Sequence, residues 1–224
     1  MPRTNRVDIA NEIYHVINRS NARMPIFTTD DDYRLFEEVL AEAEEKTSVR
    51  IYAYCIMPNH WHLLVSPMND GDLSKFTGWL TMTHTQRWHS KHKTVGTGHL
   101  YQGRYKSFLV QSNQYLVQVV RYIERNPVRA KLVNRAEEWR WSSIWRREKG
   151  TLAQKKLLTE VPFDVPSNYL EWVNENETKE NLEIIRNAVN KGKPYGLDTW
   201  TENMIEKYVL TATTRLKGRP KKGS

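Results

Sequence analysis

The sequence predicts an α+β domain in which helices pack on one or both faces of an antiparallel sheet, and three observations carry that expectation. Apolar patterns follow the order strand, helix, strand, strand, helix, strand up to Val110. The middle two strands are parted only by Pro58-Asn59, a pair suited to a tight turn, so they form an antiparallel hairpin. The helical stretches have apolar residues three and four apart and open on residues that cap helix N-termini.

The first strand is Glu12 to Asn18, rich in β-branched and aromatic residues and closed by Arg19-Ser20-Asn21. From the capping cluster Thr29-Asp30-Asp31-Asp32, the positions Tyr33, Phe36, Val39, Leu40 and Ala43 define an amphipathic helix that runs out near Lys46. Val49 to Met57 and His60 to Val65 are the hairpin strands. A second helix starts between Asp70 and Ser74, carries Leu73, Phe76, Trp79 and Leu80, and reaches Trp88, before a basic, glycine-containing loop from Ser90 to Gly98. Tyr105 to Val110 is a fourth strand. Ser112-Asn113 can cap a third helix with apolar positions Leu116, Val119, Val120 and Ile123, which must stop near Asn126-Pro127. Beyond Trp145 the pattern weakens, with helices expected around 167–174, 178–190 and 198–210.

The expected organisation is a main domain over 1–149, a helical C-terminal extension over 150–212 and a disordered basic tail over 213–224. Arg215 to Ser224 holds five cations and no acid, too polar to fold alone. Within it Gly218-Arg219-Pro220, flanked by Lys217 and Lys221, resembles the core of an AT-hook, although such triplets arise by chance in basic tails and a simple phosphate-attracting tail is the better account.

Composition narrows the function. With 34 Lys and Arg against 26 Asp and Glu, the formal charge is +8, and eight tryptophans and eleven tyrosines add flat stacking surfaces, so a polyanion is the natural partner. No apolar run approaches the roughly 20 residues that span a bilayer. The basic start lacks the apolar core of a signal peptide, and the single Cys55 offers no internal disulfide. A cytoplasmic protein with no membrane contact is expected, with Cys55 as a packed thiol.

The chemistry is carried by His60-Trp61-His62, where two imidazoles at i and i+2 of a strand project from one face while Trp61 points to the other. Such a pair can be an ordinary polar pair, or it can hold a divalent metal if a third ligand arrives from elsewhere. The helix over 114–126 offers Tyr122 and Asn126 one turn apart on one face. Tyrosine can supply a nucleophile that becomes a covalent link, and asparagine a neutral oxygen ligand. A phenol is a weak acid, so it needs a polarised target; an ion on His60, His62 and Asn126 would withdraw charge from a scissile phosphate.

The stretches Ala53-Tyr54-Cys55-Ile56-Met57-Pro58-Asn59-His60-Trp61-His62-Leu63-Leu64-Val65 and Arg121-Tyr122-Ile123-Glu124-Arg125-Asn126-Pro127-Val128-Arg129-Ala130 strongly resemble the REP-associated tyrosine transposases, of the bacterial single-tyrosine HUH, IS200-like superfamily. Tyr14-His15-Val16-Ile17-Asn18-Arg19, the segment from Gly98 to Ser107 and Trp141-Ser142-Ser143 match in the same order, so the likeness covers about two-thirds of the chain. The resemblance implies a ferredoxin-like sheet, the HUH endonuclease fold, with Tyr122 as nucleophile, Tyr115 as the lesser rival, and His60, His62 and Asn126 around Mg2+ or Mn2+. The family usually has Gly where this chain has Lys131.

The implied activity is cleavage and rejoining of single-stranded DNA beside hairpin-forming repetitive extragenic palindromes, through a 5′-phosphotyrosine, by a nucleoid-associated monomer or homodimer. Arg104, Lys106, Arg121, Arg125 and Arg129 are candidate DNA contacts. Trp79, Trp88 and Trp141 could stack on bases, with core packing the simpler role. Two readings remain open: a domesticated protein that binds DNA hairpins without cutting, and a metal-dependent hydrolase that uses water.

Overall fold

A computed structural model of the chain describes residues 7–112, 114–163 and 165–214. Four strands, β1 (Ile13–Arg19), β2 (Val49–Met57), β3 (His60–Pro67) and β4 (Lys106–Val110), form one sheet in the order β2-β3-β1-β4. Every neighbouring pair is antiparallel. With α1 (Asp30–Lys46) joining β1 to β2 and α2 (Asp72–Lys91) joining β3 to β4, this is the ferredoxin-like βαββαβ arrangement expected from the sequence.

Side-chain alternation splits the sheet into two faces. One face gives Tyr14 and Val16 of β1, Ile56 of β2, Trp61, Leu63 and Val65 of β3 and Leu109 of β4 to a core closed by α1 and α2. Thr29 and Asp32 cap α1 reciprocally, and three acids in its first turn suit the positive end of the helix dipole. Trp79, Trp88 and Trp141 all pack on this side: Trp141 stacks on Tyr33 at 4.8 Å, and the Trp88 indole donates to the Ile26 carbonyl at 2.7 Å. They are core aromatics, on the face of the sheet opposite the paired histidines.

The other face carries Ile13, Ala53, Cys55, Met57, Leu64, Phe108 and Val110 beneath α3 (Gln114–Glu124), whose buried positions include Leu116, Val119, Val120 and Ile123. Cys55 is a buried free thiol. Asn113, part of the expected cap of this helix, lies outside the described residues, as does Asp164. The helix ends at Glu124, and after Arg125 the chain resumes as the short α4 (Asn126–Arg129), with Pro127 in its first turn where no amide hydrogen is needed.

The rest of the chain packs against both faces, with Leu157, Trp200 and Met204 joining the core closed by α1 and α2. Two helices that the sequence pattern did not reveal, α5 (Ser143–Lys149) and α6 (Leu152–Lys155), precede α7 (Tyr169–Asn174), α8 (Lys179–Lys191) and α9 (Asp198–Lys207). Ile185 and Ala188 of α8 join the α3 core. Gly192, with φ +71, ends α8 in the left-handed conformation that costs glycine least, and its amide donates to the Ala188 carbonyl at 2.8 Å. Tyr195 then takes up the free edge of β4 by backbone bonds to Leu109 (2.8 Å) and from Gln111 (3.0 Å), covering an otherwise exposed strand edge. A 3-10 turn over Thr211–Thr213 buries Thr213, and 215–224, including the AT-hook-like triplet, lie outside the described residues. Among the described residues no helix is long and apolar enough to cross a membrane.

Candidate active site

Register decides which side chains share the site. On β3, His60 and His62 face α3, with His60 opposite Arg19 and His62 opposite Ile17; across β1, Ile17 is opposite Lys106 of β4. The two imidazoles are 5.0 Å apart, centre to centre, and nearly perpendicular. Tyr122 arrives from α3 with its ring edge-on to His62 at 5.9 Å. Histidines and tyrosine line one cavity of about 220 Å³ together with Asn126, Arg19 and, from α8, Arg186 and Asn190. A wider groove of about 540 Å³ shares Arg19 and Asn190 with it and continues past Gln102, Arg104 and Lys106.

Burial governs the protonation of these groups. It holds His60 down to about 4, with Arg19 adding to the effect, and holds His62 well below its ordinary value, so both imidazoles are neutral lone-pair donors near neutral pH. The Tyr122 phenol is pushed above its ordinary value by burial, opposed by the nearby Arg129 and Arg186 cations, and so keeps its proton at rest. The Arg129 guanidinium lies 4.3 Å over the Tyr122 ring and also donates to the Tyr122 carbonyl.

The sequence of the family described as "Transposase IS200 like" matches residues 8–126, more than half of the chain. The chain belongs to the IS200-like transposase family. Among solved structures, a REP-associated tyrosine transposase bound to a REP hairpin is similar in fold, at 18% identity and a TM-score of 0.56, covering 80% of this chain and all of the other. A Deinococcus radiodurans R1 protein described as a transposase aligns at 19% identity over 55% of this chain and 97% of its own, with a TM-score of 0.40. Comparison with curated proteins yields no match.

In this IS200-like transposase the donor set fits a divalent ion. Asn59 Nδ2 donates to the Arg23 carbonyl at 3.1 Å, which fixes the amide so that Asn59 Oδ1 faces His60 Nδ1 at 2.6 Å. An amide oxygen only accepts, so His60 Nδ1 carries the proton and Nε2 is left bare for a ligand. Asn126 spends Nδ2 on the carbonyls of Tyr122 and Ile123, each at 3.3 Å, and keeps Oδ1 to offer. Among the described residues no group of three or more His, Cys, Asp or Glu is placed so that all could hold one ion, so a site here depends on a neutral amide as third donor.

The remaining sequence-derived candidates separate into two sets. Arg104 and Lys106 are exposed along the groove. Arg121, Arg125 and Arg129, the other candidates for DNA contact, each bond to the C-terminal segment, Arg129 while also stacking on Tyr122. Arg121 stacks 4.3 Å over the Trp172 ring and donates to the Glu175 carbonyl. Arg125 is buried against the carbonyls of Val173 and Asn174, and Arg129 pairs with Glu177 at 2.5 Å. Sequence spacing put Arg121 and Arg125 on the helix of Tyr122 and Arg129 just beyond it, but gave no sign of the chain that would cover them.

Two cavity cations were missed. Arg19 could have been found by alternation from His15 through Ile17 on one face of β1, whereas Arg186 is brought in only by the docking of α8. Tyr115, the rival tyrosine, packs edge-on against Tyr195 at 5.2 Å.

Proposed function

We propose that this chain cuts and rejoins single-stranded DNA beside a hairpin-forming palindromic repeat, with Tyr122 as the nucleophile. The observation that carries this reading is the convergence of Tyr122, His60, His62 and Asn126 on one cavity that opens into a cation-lined groove. The Tyr122 oxygen attacks the scissile phosphorus, the bond to the 3′ oxygen breaks, and the products are a 5′-phosphotyrosine and a 3′ hydroxyl that takes up the proton. Reversal of the same step by a 3′ hydroxyl rejoins DNA and needs no nucleotide cofactor. Mg2+ or Mn2+ held by His60, His62 and Asn126 would supply Lewis-acid stabilisation of the charge developing on the phosphate.

The chain's own groups account for binding and orientation. Arg19, Arg104, Lys106 and Arg186 have no carboxylate partner among the described residues and line a continuous path through cavity and groove, as a phosphate backbone requires. Asn18, Gln102 and Asn190 add neutral donors and acceptors there. The hairpin carried by the similar solved transposase supports a hairpin substrate. Action on chromosomal repeats places the protein in the bacterial cytoplasm, at the nucleoid.

The test is a denaturing gel of labelled hairpin DNA incubated with the protein and Mg2+ or Mn2+. A covalent adduct is expected, lost in Tyr122→Phe with binding retained and kept in Tyr115→Phe. Cleaved product without an adduct would establish the water-using hydrolase instead, and a mobility shift with neither would establish a binder that no longer cuts.

A further inference from the structure

His15 lies beneath the two histidines, wholly buried, and no step above uses it. It belongs to β1, diagonal to His62 across the β1–β3 pairing, since His15 is opposite Leu64 and Ile17 is opposite His62. Its Nε2 is 2.8 Å from His62 Nδ1, with the two rings 5.0 Å apart and inclined by 30°. Phe108 at 4.8 Å and the edge of Tyr122 at 6.2 Å hold it in place. Its other nitrogen, Nδ1, is buried with no partner among the described residues. A leucine or phenylalanine would fill the same space without leaving a polar atom unpaired.

We propose that His15 is a positioning residue for the metal site, accepting the His62 Nδ1 proton so that His62 presents a bare Nε2 to the ion. This rests on the metal reading above. One proton is shared between two facing nitrogens, and only two arrangements of neutral rings exist. If His15 Nε2 donates, His62 must carry its own proton on Nε2, where it blocks coordination. If His62 Nδ1 donates, Nε2 is free, and His15 carries its proton on the partnerless Nδ1. Only the second arrangement is compatible with His62 as a ligand, so an ion selects it. His60 reaches the same state by a different device, its Nδ1 proton fixed by Asn59. Each ligand thus has its own acceptor, one an amide at the hairpin turn and one an imidazole on the next strand.

Outer partners of this kind are worth about 10–100-fold in metal affinity. Free Mn2+ measured by electron paramagnetic resonance, with the full chain and no DNA, gives the affinity directly. His15→Phe is expected to weaken Mn2+ binding by about 10–100-fold, and His15→Gln, whose amide oxygen can accept from His62 Nδ1, to recover most of it. Circular dichroism and hairpin binding in EDTA, expected to be unchanged, separate this loss from misfolding. Should His15→Phe not fold, nitrogen-15 spectra of the unaltered protein with Mg2+ decide the matter: His62 protonated on Nδ1 and His15 bare on Nε2 is the expected pattern, and the reverse overturns the proposal. Wild-type affinity in His15→Phe, or no recovery in His15→Gln, overturns it as well. Failure of the unaltered protein to bind Mn2+ overturns the metal reading itself, and this proposal with it.

Discussion

Trp61, between the two candidate ligands, is anchored from below by a chain of hydrogen bonds that one proton should break. Its indole N–H donates to Tyr101 Oη at 3.1 Å, and Tyr101 Oη is 2.8 Å from His84 Nδ1. Burial pushes the Tyr101 phenol far above its ordinary value, so it keeps its proton, and with an indole donating to it that proton goes to His84. His84 Nδ1 must therefore be a bare acceptor, and the ring neutral. Burial holds His84 down to about 3, with Asp32 pulling up and His92 down, against an ordinary 6.5. The folded value lies below the unfolded one, so the unfolded chain binds the extra proton first: the contribution is whole above 6.5 and is lost as pH falls toward 3. Over the 1.5 units from 6.5 to 5.0, at about 1.4 kcal/mol per unit, His84 alone removes about 2 kcal/mol of stability. His84→Asn supplies an acceptor oxygen near the Nδ1 position that does not titrate. Urea unfolding at pH 7.5 and 5.0 should show a drop in stability about 2 kcal/mol smaller in this variant than in the unaltered protein. His15 and His60 titrate in both proteins and cancel in the difference. Equal drops would refute the neutral-acceptor assignment and the chain of bonds built on it.

Glu177 is nearly buried against Arg129 at 2.5 Å and Arg125 at 3.4 Å, and removing one partner of a buried ion pair costs about 3–5 kcal/mol. Both arginines keep carbonyl partners, so Glu177→Gln should cost nearer the lower end, measured by urea unfolding, with faster proteolysis between α7 and α8; an unchanged midpoint would contradict a stabilising role for these ion pairs. Lys131 sits in the left-handed region at φ 57 just after α4, which costs a side chain about 1–2 kcal/mol and favours glycine. Lys131→Gly should therefore stabilise by about 0.5–1 kcal/mol after the extra chain entropy of glycine is subtracted, and a loss on unfolding would refute the conformation. Arg19→Ala and Arg186→Ala should each lower the salt slope of hairpin binding by about 1 in a titration followed by fluorescence anisotropy, while Arg121→Ala should leave it unchanged.

The strands, the first three helices and the faces of the hairpin were legible because each is specified by neighbours along the chain: period two at His60 and His62, period three to four at Tyr122 and Asn126, a cap at Thr29 and a helix stop before Pro127. The family motifs that carry the candidate site residues lie largely in those same segments, and His60, His62, Tyr122 and Asn126 meet in one cavity. The C-terminal third was legible only as approximate helices, because helical periodicity states which face is apolar and not what that face meets.

From sequence alone, then, came the local conformations and the chemical types brought to each face. Tertiary structure decided the pairings between distant segments. Through them Arg121, Arg125 and Arg129 hold the C-terminal chain instead of facing the groove, Arg186 reaches the cavity from α8, and His15 meets His62 across 47 positions of sequence. The physical reason is that a charge or an imidazole on an exposed helix face or an inner strand has many possible partners. Which one it takes is set by the burial of apolar surface elsewhere, here Ile185, Ala188 and Tyr195 against α3 and β4, and that burial is a sum over the whole fold that no local pattern encodes.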